Sequence, residues 1–270
     1  MVYGVLRFIN FAHSDVFMVG AYSGFFIAPY LRSQSIASGL LVLVAAMIIC
    51  AVLGVAIERF AYRPLRKSSK LNVLITAIGV SLLIENAAQL FWKATPRSFP
   101  VLFPNTTFHL GTVTVASNQV AVLVVTITLL IALQFLIFRT KMGKAMRAVS
   151  FNPTAASLVG ISNDKVISFT FALGSALAAA GGILYAVRYE QIQPLMGVLP
   201  GLKAFVAAVL GGIGNIPGAA LGGLILGLIE TFVKGSRFST FSDAIVFSVL
   251  ILILVFKPSG LLGKVQIEKV

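Results

Sequence analysis

The sequence predicts an all-α membrane protein, a polytopic bundle of transmembrane helices. Of its 270 residues, 58% are hydrophobic and only 11% are charged, and the mean hydropathy is +0.99. A soluble domain of this length needs more polar surface than such a composition supplies, so the bilayer is the expected solvent. Long apolar runs separated by basic segments support the same fold class.

The apolar runs predict about eight spans or half-spans, because a helix needs roughly 17 to 25 apolar residues to cross a membrane. The clear candidates are residues 39–57, 71–92, 120–138, 166–187 and 241–256, and a shorter run covers 16–31. The glycine-rich stretch 198–233 predicts two short crossings, or a re-entrant hairpin, that turn near residues 214–218. We expect residues 1–270 to form a single transmembrane domain.

The distribution of basic residues predicts the orientation. Segments 58–70 and 139–165 are rich in lysine and arginine, whereas the long loop 93–119 carries one of each. The positive-inside tendency places both basic segments and the C-terminal tail in the cytoplasm, and the loop 93–119 as a cap on the outer face. Topology thus explains the net charge of +13, and no nucleic-acid partner is expected.

Residues 147–161, RAVSFNPTAASLVGI, carry signals for a short helix between two apolar stretches. Asn152 suits the N-cap, Pro153 the first helical position and Gly160 the stop, which predicts about two turns of helix. Such a helix either lies on membrane lipid or docks into a groove of a cytoplasmic partner. Spacing alone favours the lipid alternative.

The same segment resembles a known docking loop, and this favours the second alternative. TAASLVG is similar to the A-A-x-x-x-G loop by which permease subunits of bacterial ABC importers contact their ATPases, with Thr154 in place of the usual glutamate. We therefore expect ATPase coupling within 139–165. The predicted coupling residues are Lys141, Lys144, Arg147, Asn152, Pro153, Ala155, Ala156 and Gly160.

Longer stretches resemble the LivH-type permeases of branched-chain amino acid ABC transporters. They are YGVLRFINFAHSDVFMVGAY, IERFAYRPLR, LITAIGVSL and AVLGGIGNIPGAALGGLILGLIE, and the resemblance covers nearly the whole chain in order. It implies a permease of the bacterial inner membrane, with a helical bundle of the kind found in ABC importers, that moves a branched-chain or other neutral amino acid inward by alternating access. The implied partners are a second homologous permease subunit, two cytoplasmic ABC ATPases, a periplasmic or lipid-anchored substrate-binding protein and membrane lipid.

The resemblance leaves alternatives open. Family members usually carry a further apolar helix ahead of the position of Met1, so the chain is expected to be a fragment, to start at a misassigned codon or to have lost that helix. A urea or short-amide ABC permease has a similar sequence. An ion-coupled secondary transporter that uses Asp15 or Glu85 is the alternative from another mechanistic class.

Four polar residues are candidates for the substrate path: Asn10, His13, Asp15 and Glu85. An ionisable residue in a span is a functional hypothesis because exposing it to lipid costs roughly 2 to 3 kcal/mol or more. The structural alternatives are a local hydrogen-bonded pair of His13 with Asp15, and an interfacial position for Glu85.

Glycines at a spacing of four predict close approaches between helices, which suit either rocking helices or static packing. The predicted packing residues are Gly20, Gly24, Gly174, Gly182, Gly218, Gly222, Gly223 and Gly227.

The sequence offers little for enzyme chemistry. It contains no G-x-x-x-x-G-K-[ST] motif, so the chain is not expected to hydrolyse ATP by itself. No catalytic residue, metal site or cofactor is predicted, and the single cysteine, Cys50, rules out an intrachain disulfide.

Overall fold

The computed structural model describes residues 10–31, 35–66, 68–104, 106–110, 113–257 and 259–263. The chain forms two compact units, one that ends at Val198 and one that begins at Leu199. Both units are helical, which confirms the predicted fold class. Lys264 and Lys269 of the predicted cytoplasmic tail lie outside the described residues, as do residues 1–9.

The first unit consists mainly of helices, and a longer loop with short strands joins α3 to α4. They are α1 (His13–Ile27), α2 (Ile36–Ile57), α3 (Lys70–Trp92), α4 (Ser117–Arg139), α5 (Lys141–Phe151), α6 (Pro153–Leu158) and α7 (Asn163–Tyr189). A 3₁₀ turn, Ala28–Tyr30, follows α1. A π-helical turn, Glu58–Tyr62, and a 3₁₀ turn, Arg63–Leu65, continue α2.

The second unit is built around a helical hairpin. Its helices are α8 (Val198–Gly211), α9 (Ile216–Lys234) and α10 (Ser242–Phe256), with a 3₁₀ turn, Ser239–Phe241, before α10. A Cβ atom on Gly211 would lie 2.0 Å from the carbonyl oxygen of Gly218, so the two backbones touch where the chain turns. Asn215 caps α9 by accepting a hydrogen bond of 3.1 Å from the Gly218 amide. Two helices that turn in this region are what the glycine-rich stretch predicted.

Five helical stretches in the described chain are long and apolar enough to cross a membrane. They are Ile36–Leu65, Leu71–Trp92, Ser117–Arg139, Asn163–Tyr189 and Ile216–Lys234. Four of the clear predicted spans lie within the first four stretches. The predicted runs 16–31 and 241–256 correspond to shorter helices, α1 and α10, of 15 residues each.

The core of the first unit lies where α1 and α2 pack on α7. A Cβ atom on Gly20 of α1 would lie 2.3 Å from the Cα of Ala179, and one on Gly54 of α2 would lie 2.1 Å from the Ser175 hydroxyl oxygen. In the most apolar 18-residue window of α7, 61% of the residues are buried, against 6% in α4. The apolar surface of α4 is therefore open to lipid or to another subunit.

The loop 93–119 packs against one end of the core, where α1 and α7 end and α2 begins. Phe99, Leu102 and Phe103 are buried in the core cluster, and the Phe99 amide donates to the carbonyl of Glu190 at 3.0 Å. Strand β1 (Arg97–Ser98) pairs with β4 (Gln191–Ile192), and β2 (Thr107–Leu110) pairs with β3 (Val113–Ala116), both antiparallel. The sequence predicted a non-helical loop but not these strands.

Candidate functional site

The predicted docking segment, residues 152–160, forms the short helix α6. The Asn152 side chain accepts a hydrogen bond of 3.0 Å from the Ala155 amide, and Pro153 occupies the first turn. Gly160 follows the helix with a φ of +83°, a backbone conformation that suits glycine. The helix thus begins and ends where its capping residues predicted.

The surface of this segment is exposed and partly apolar. Leu158 and Val159 have exposed fractions of 83% and 76%, and Phe151, which directly precedes the segment, of 86%. Ala156, in contrast, is buried. Exposed apolar side chains grouped in this way are typical of a surface that a partner or lipid covers. Among the residues of the A-A-x-x-x-G motif, Ala155 is exposed.

Helix α5 precedes the docking segment and was not predicted. Thr140 caps it by accepting from the Gly143 amide at 3.1 Å, and Met146 and Val149 are buried at helical spacing. The Arg147 guanidinium donates to the carbonyl of Ile137 and lies 5.3 Å from the centre of the Phe138 ring. Arg147 thereby braces α5 against the end of α4.

The two predicted lysines of α5, Lys141 and Lys144, have exposed side chains. They leave a positive surface next to the docking segment. The cap of Thr140 and the spacing of the apolar residues would have revealed α5 from the sequence alone.

A set of polar contacts connects the docking segment to the core helices. Asn163, at the start of α7, donates from its side-chain amide to the carbonyl of Pro153 at 2.9 Å. The next residue, Asp164, accepts from the guanidinium groups of both Arg63 and Arg66. We call the group formed by Glu58, Arg63, Arg66, Asp164 and Ser168 the ion-pair bridge.

Glu58 is the buried member of the ion-pair bridge, with none of its side chain exposed. Its carboxylate accepts from the Arg66 guanidinium, and from the Ser168 hydroxyl at 2.6 Å. A buried carboxylate without partners would be strongly unfavourable, so these contacts are required for the position of Glu58.

This group was not predicted, because the arginines were interpreted only as signals of orientation. A usable signal was present, since Glu58 and Asp164 are the only acidic residues in the basic segments 58–70 and 139–165, respectively.

The predicted path residues gather around the start of α1. Asp15 is almost fully buried and accepts from the Ser81 hydroxyl of α3 at 2.6 Å, and the carboxyl of Glu85 interacts with it. The Asn10 side chain accepts from the Tyr62 hydroxyl at 2.7 Å. His13 has an exposed side chain. The structure therefore brings Asp15 and Glu85 together, and places Asn10 against the π-helical turn.

The predicted packing glycines fall into two groups. Those with a close neighbour are Gly20, Gly24, Gly182, Gly218 and Gly222, and Gly174 is buried within α7. Gly223 and Gly227 lie on the exposed face of α9, where a Cβ on Gly227 would meet no described atom within 4 Å. Among the described residues, no three His, Cys, Asp or Glu side chains gather as a metal site.

A family described as the permease component of branched-chain amino acid transport systems matches residues 1–255. The chain belongs to this family. Family membership confirms the resemblance that the sequence motifs indicated, and with it a transmembrane transport protein.

Two individual relatives align with this permease over its whole length. It is 40% identical over 278 residues to the permease protein BraD of Pseudomonas aeruginosa, an alignment that covers 100% of this chain and 91% of BraD. It is also 40% identical over 279 residues to LivH of Escherichia coli K12, covering 100% of this chain and 90% of LivH. Both are named as permeases of high-affinity branched-chain amino acid transport systems.

A more distant relative is the ribose import permease RbsC of Escherichia coli K12, which is 31% identical over 131 residues, or 46% of this chain and 41% of RbsC. No solved structure matches the chain.

Proposed function

We propose that this chain is the transmembrane permease subunit of an ABC importer that moves branched-chain or other neutral amino acids into the bacterial cytoplasm. The observation that carries the proposal is the 40% identity to BraD and LivH over 100% of the chain. The aligned region takes in the whole chain, including the spans, the loops and the docking segment, so the proposal does not depend on one motif.

The docking segment binds a cytoplasmic ATPase in this proposal. Its exposed Leu158 and Val159, with Phe151 directly before it, fit an apolar groove on the partner. The exposed Lys141 and Lys144 attract an acidic surface beside that groove. The chain has no nucleotide-binding motif of its own, so two ATPases supply the energy and a second permease subunit completes the path.

The proposed orientation follows from charge. The basic segments face the cytoplasm of the inner membrane together with the C-terminus, and the loop 93–119 faces the binding protein that delivers the substrate.

Alternating access follows from the way the docking segment is joined to the core. Closure of the ATPases displaces α6, and α7 moves with it because Asn163 holds the carbonyl of Pro153. α1 and α2 pack on α7 through Gly20 and Gly54, where no side chain separates the backbones. Helices in such contact can tilt or slide as units, which opens the path to one side and then to the other.

A second candidate function is ion-coupled transport by this chain alone, and the pairing of Asp15 with Glu85 favours it. Carboxyl groups inside a membrane protein are common sites of proton or sodium binding. This function requires uptake driven by a proton or sodium gradient in proteoliposomes that contain only this chain.

Reconstitution separates the two functions. Proteoliposomes should contain this chain, a second permease, two ATPases and the binding protein, with leucine, alanine, proline and urea as competing solutes. We expect uptake only with ATP, and strongest competition by neutral amino acids. Uptake by the isolated chain under an ion gradient would contradict the proposal, and preferential uptake of urea would overturn the substrate class.

The docking segment has its own test, Leu158→Asp. A carboxylate in an apolar groove should weaken co-purification of the ATPases by about 30-fold or more, the size expected for an interface hot spot. The matched control is Tyr30→Asp, because Tyr30 is 86% exposed and follows α1, outside the docking segment. Equal co-purification with both variants would show that α6 does not bind the ATPases.

A further inference from the structure

The ion-pair bridge does more than bind a buried charge. It joins the first turns of α7, next to the docking segment, to the end of α2. Except for the local pair of Glu58 with Arg66, its contacts join residues that are far apart in the sequence. Glu58 and Ser168 are 110 positions apart, and Arg66 and Asp164 are 98 positions apart. The contacts of the bridge to α7 are therefore a product of the folded arrangement of helices and not of local structure.

The contacts form a continuous path that starts at the docking segment. Pro153 of α6 is bound by Asn163, and the neighbouring Asp164 binds the arginines that follow α2. Arg66 then binds Glu58. The path thus leads from α6 through the first turn of α7 to the end of α2.

Two residues of α7, one helical turn apart, are connected to Glu58. Asp164 reaches it through Arg66, and Ser168, one helical turn further along, reaches it directly at 2.6 Å. Residues four positions apart lie on one face of a helix, so this face of α7 holds the end of α2 in a defined position. A displacement of α7 is thereby transferred to α2.

The π-helical turn extends the path to α1. In Glu58–Tyr62, both terminal residues of the turn are buried, while Arg59 and Phe60 are exposed. The Tyr62 hydroxyl donates to Asn10, just before α1, at 2.7 Å. Single π-helical turns within helices occur often at functional sites, because the extra residue redirects side chains.

We propose that the ion-pair bridge is the positioning element that couples movement of the docking segment to the transport helices, with the contacts of Asp164 to Arg63 and Arg66 as its exchangeable part. This inference rests on the proposed function, because it requires an ATPase bound at α6. Arg63 and Asp164 have half-exposed side chains, with exposed fractions of 42% and 47%, so their contact can open and close in the presence of water. Glu58 stays buried and returns the end of α2 to the same position.

Asp164→Asn tests the proposal in the complete transporter, with both permeases, both ATPases and the binding protein. The substitution keeps the shape of the side chain and removes its charge. We expect the ATPases to co-purify as before and ATP to be hydrolysed, while the number of amino acids taken up per ATP falls by about fivefold or more, the lower end of typical coupling effects. Asp164→Glu, which restores the charge, should recover most of this ratio.

Arg59→Gln is the matched control, because Arg59 is an exposed arginine of the same π-helical turn. It should leave uptake per ATP unchanged. A double substitution, Arg63→Gln with Asp164→Asn, should lower the ratio no further than Asp164→Asn alone, because both remove the same contact.

Three results would overturn the proposal. They are an unchanged ratio in Asp164→Asn, an equal decrease in Arg59→Gln, and loss of the ATPases from the Asp164→Asn complex, which would assign Asp164 to docking instead. If the unsubstituted chain bound no ATPase, the proposed function itself would be contradicted. That outcome is distinguishable from a failure of the coupling proposal alone, in which the ATPases still bind.

Discussion

The two ends of the first unit are held together by different forces. The basic end consists of residues 58–66, α5, α6 and the first turns of α7. There, charges and side-chain hydrogen bonds join the helices. At the capped end, formed by residues 99–103 and strands β1 and β4, apolar side chains cover the helices. The rings of Tyr22 and Trp92 stack there with their centres 4.3 Å apart.

This difference suits different mechanical roles. Apolar packing has a density near that of a crystal and does not deform gradually, so the capped end should keep its arrangement. The ion pairs of the half-exposed Asp164 contribute little to stability because water competes for them, so they can rearrange at low cost, whereas the buried Glu58 keeps its partners. We expect the core helices to pivot about the capped end when the docking segment moves.

Phe103→Ala should have the largest effect on stability, because it removes a buried ring from the capped end. We expect the free energy of unfolding to fall by about 3 kcal/mol or more, measured by reversible unfolding in mixed detergent micelles. Val101→Ala, at a position that is 50% exposed in the same loop, should cost much less. Equal losses would show that the loop 93–119 is not part of the core.

Gly182→Ala should have an intermediate effect, since a Cβ atom there would lie 2.0 Å from the carbonyl oxygen of Phe17. We expect α1 to move away from α7, with a loss of about 1 to 3 kcal/mol in the free energy of unfolding and impaired uptake in the assembled transporter. Gly227→Ala is the control, because open space surrounds that glycine among the described residues. A stable Gly182→Ala variant with normal uptake would contradict a functional role for this close approach.

Asp164→Asn should have the smallest effect on stability, about 0.5 kcal/mol or less, because the Asp164 side chain is half exposed. The measurement is the same unfolding experiment. Together with the loss of coupling proposed above, a small value would distinguish transmission of movement from structural support. A loss as large as that of Phe103→Ala would mean that both ends are equally rigid.

Much of the fold was predictable because its signals are local. Long apolar runs predicted the spans, and Asn152, Pro153 and Gly160 predicted the limits of α6 within one or two residues. The hairpin of α8 and α9 turns near residues 214–218, as the glycine-rich stretch predicted. Helix α5 was missed because its basic residues were interpreted only as evidence of orientation, although its cap and apolar spacing are also local.

The sequence by itself determined the membrane fold, the short helix α6 and the family, because apolar length, caps and long runs of similar residues are properties of neighbouring positions. Only the tertiary structure decided that Glu58 meets Ser168, that Asp15 meets Ser81 and that β1 pairs with β4. These partners depend on the rotation and separation of whole helices, which glycine contacts such as that of Gly20 with Ala179 set across the core. No short stretch of sequence carries that information.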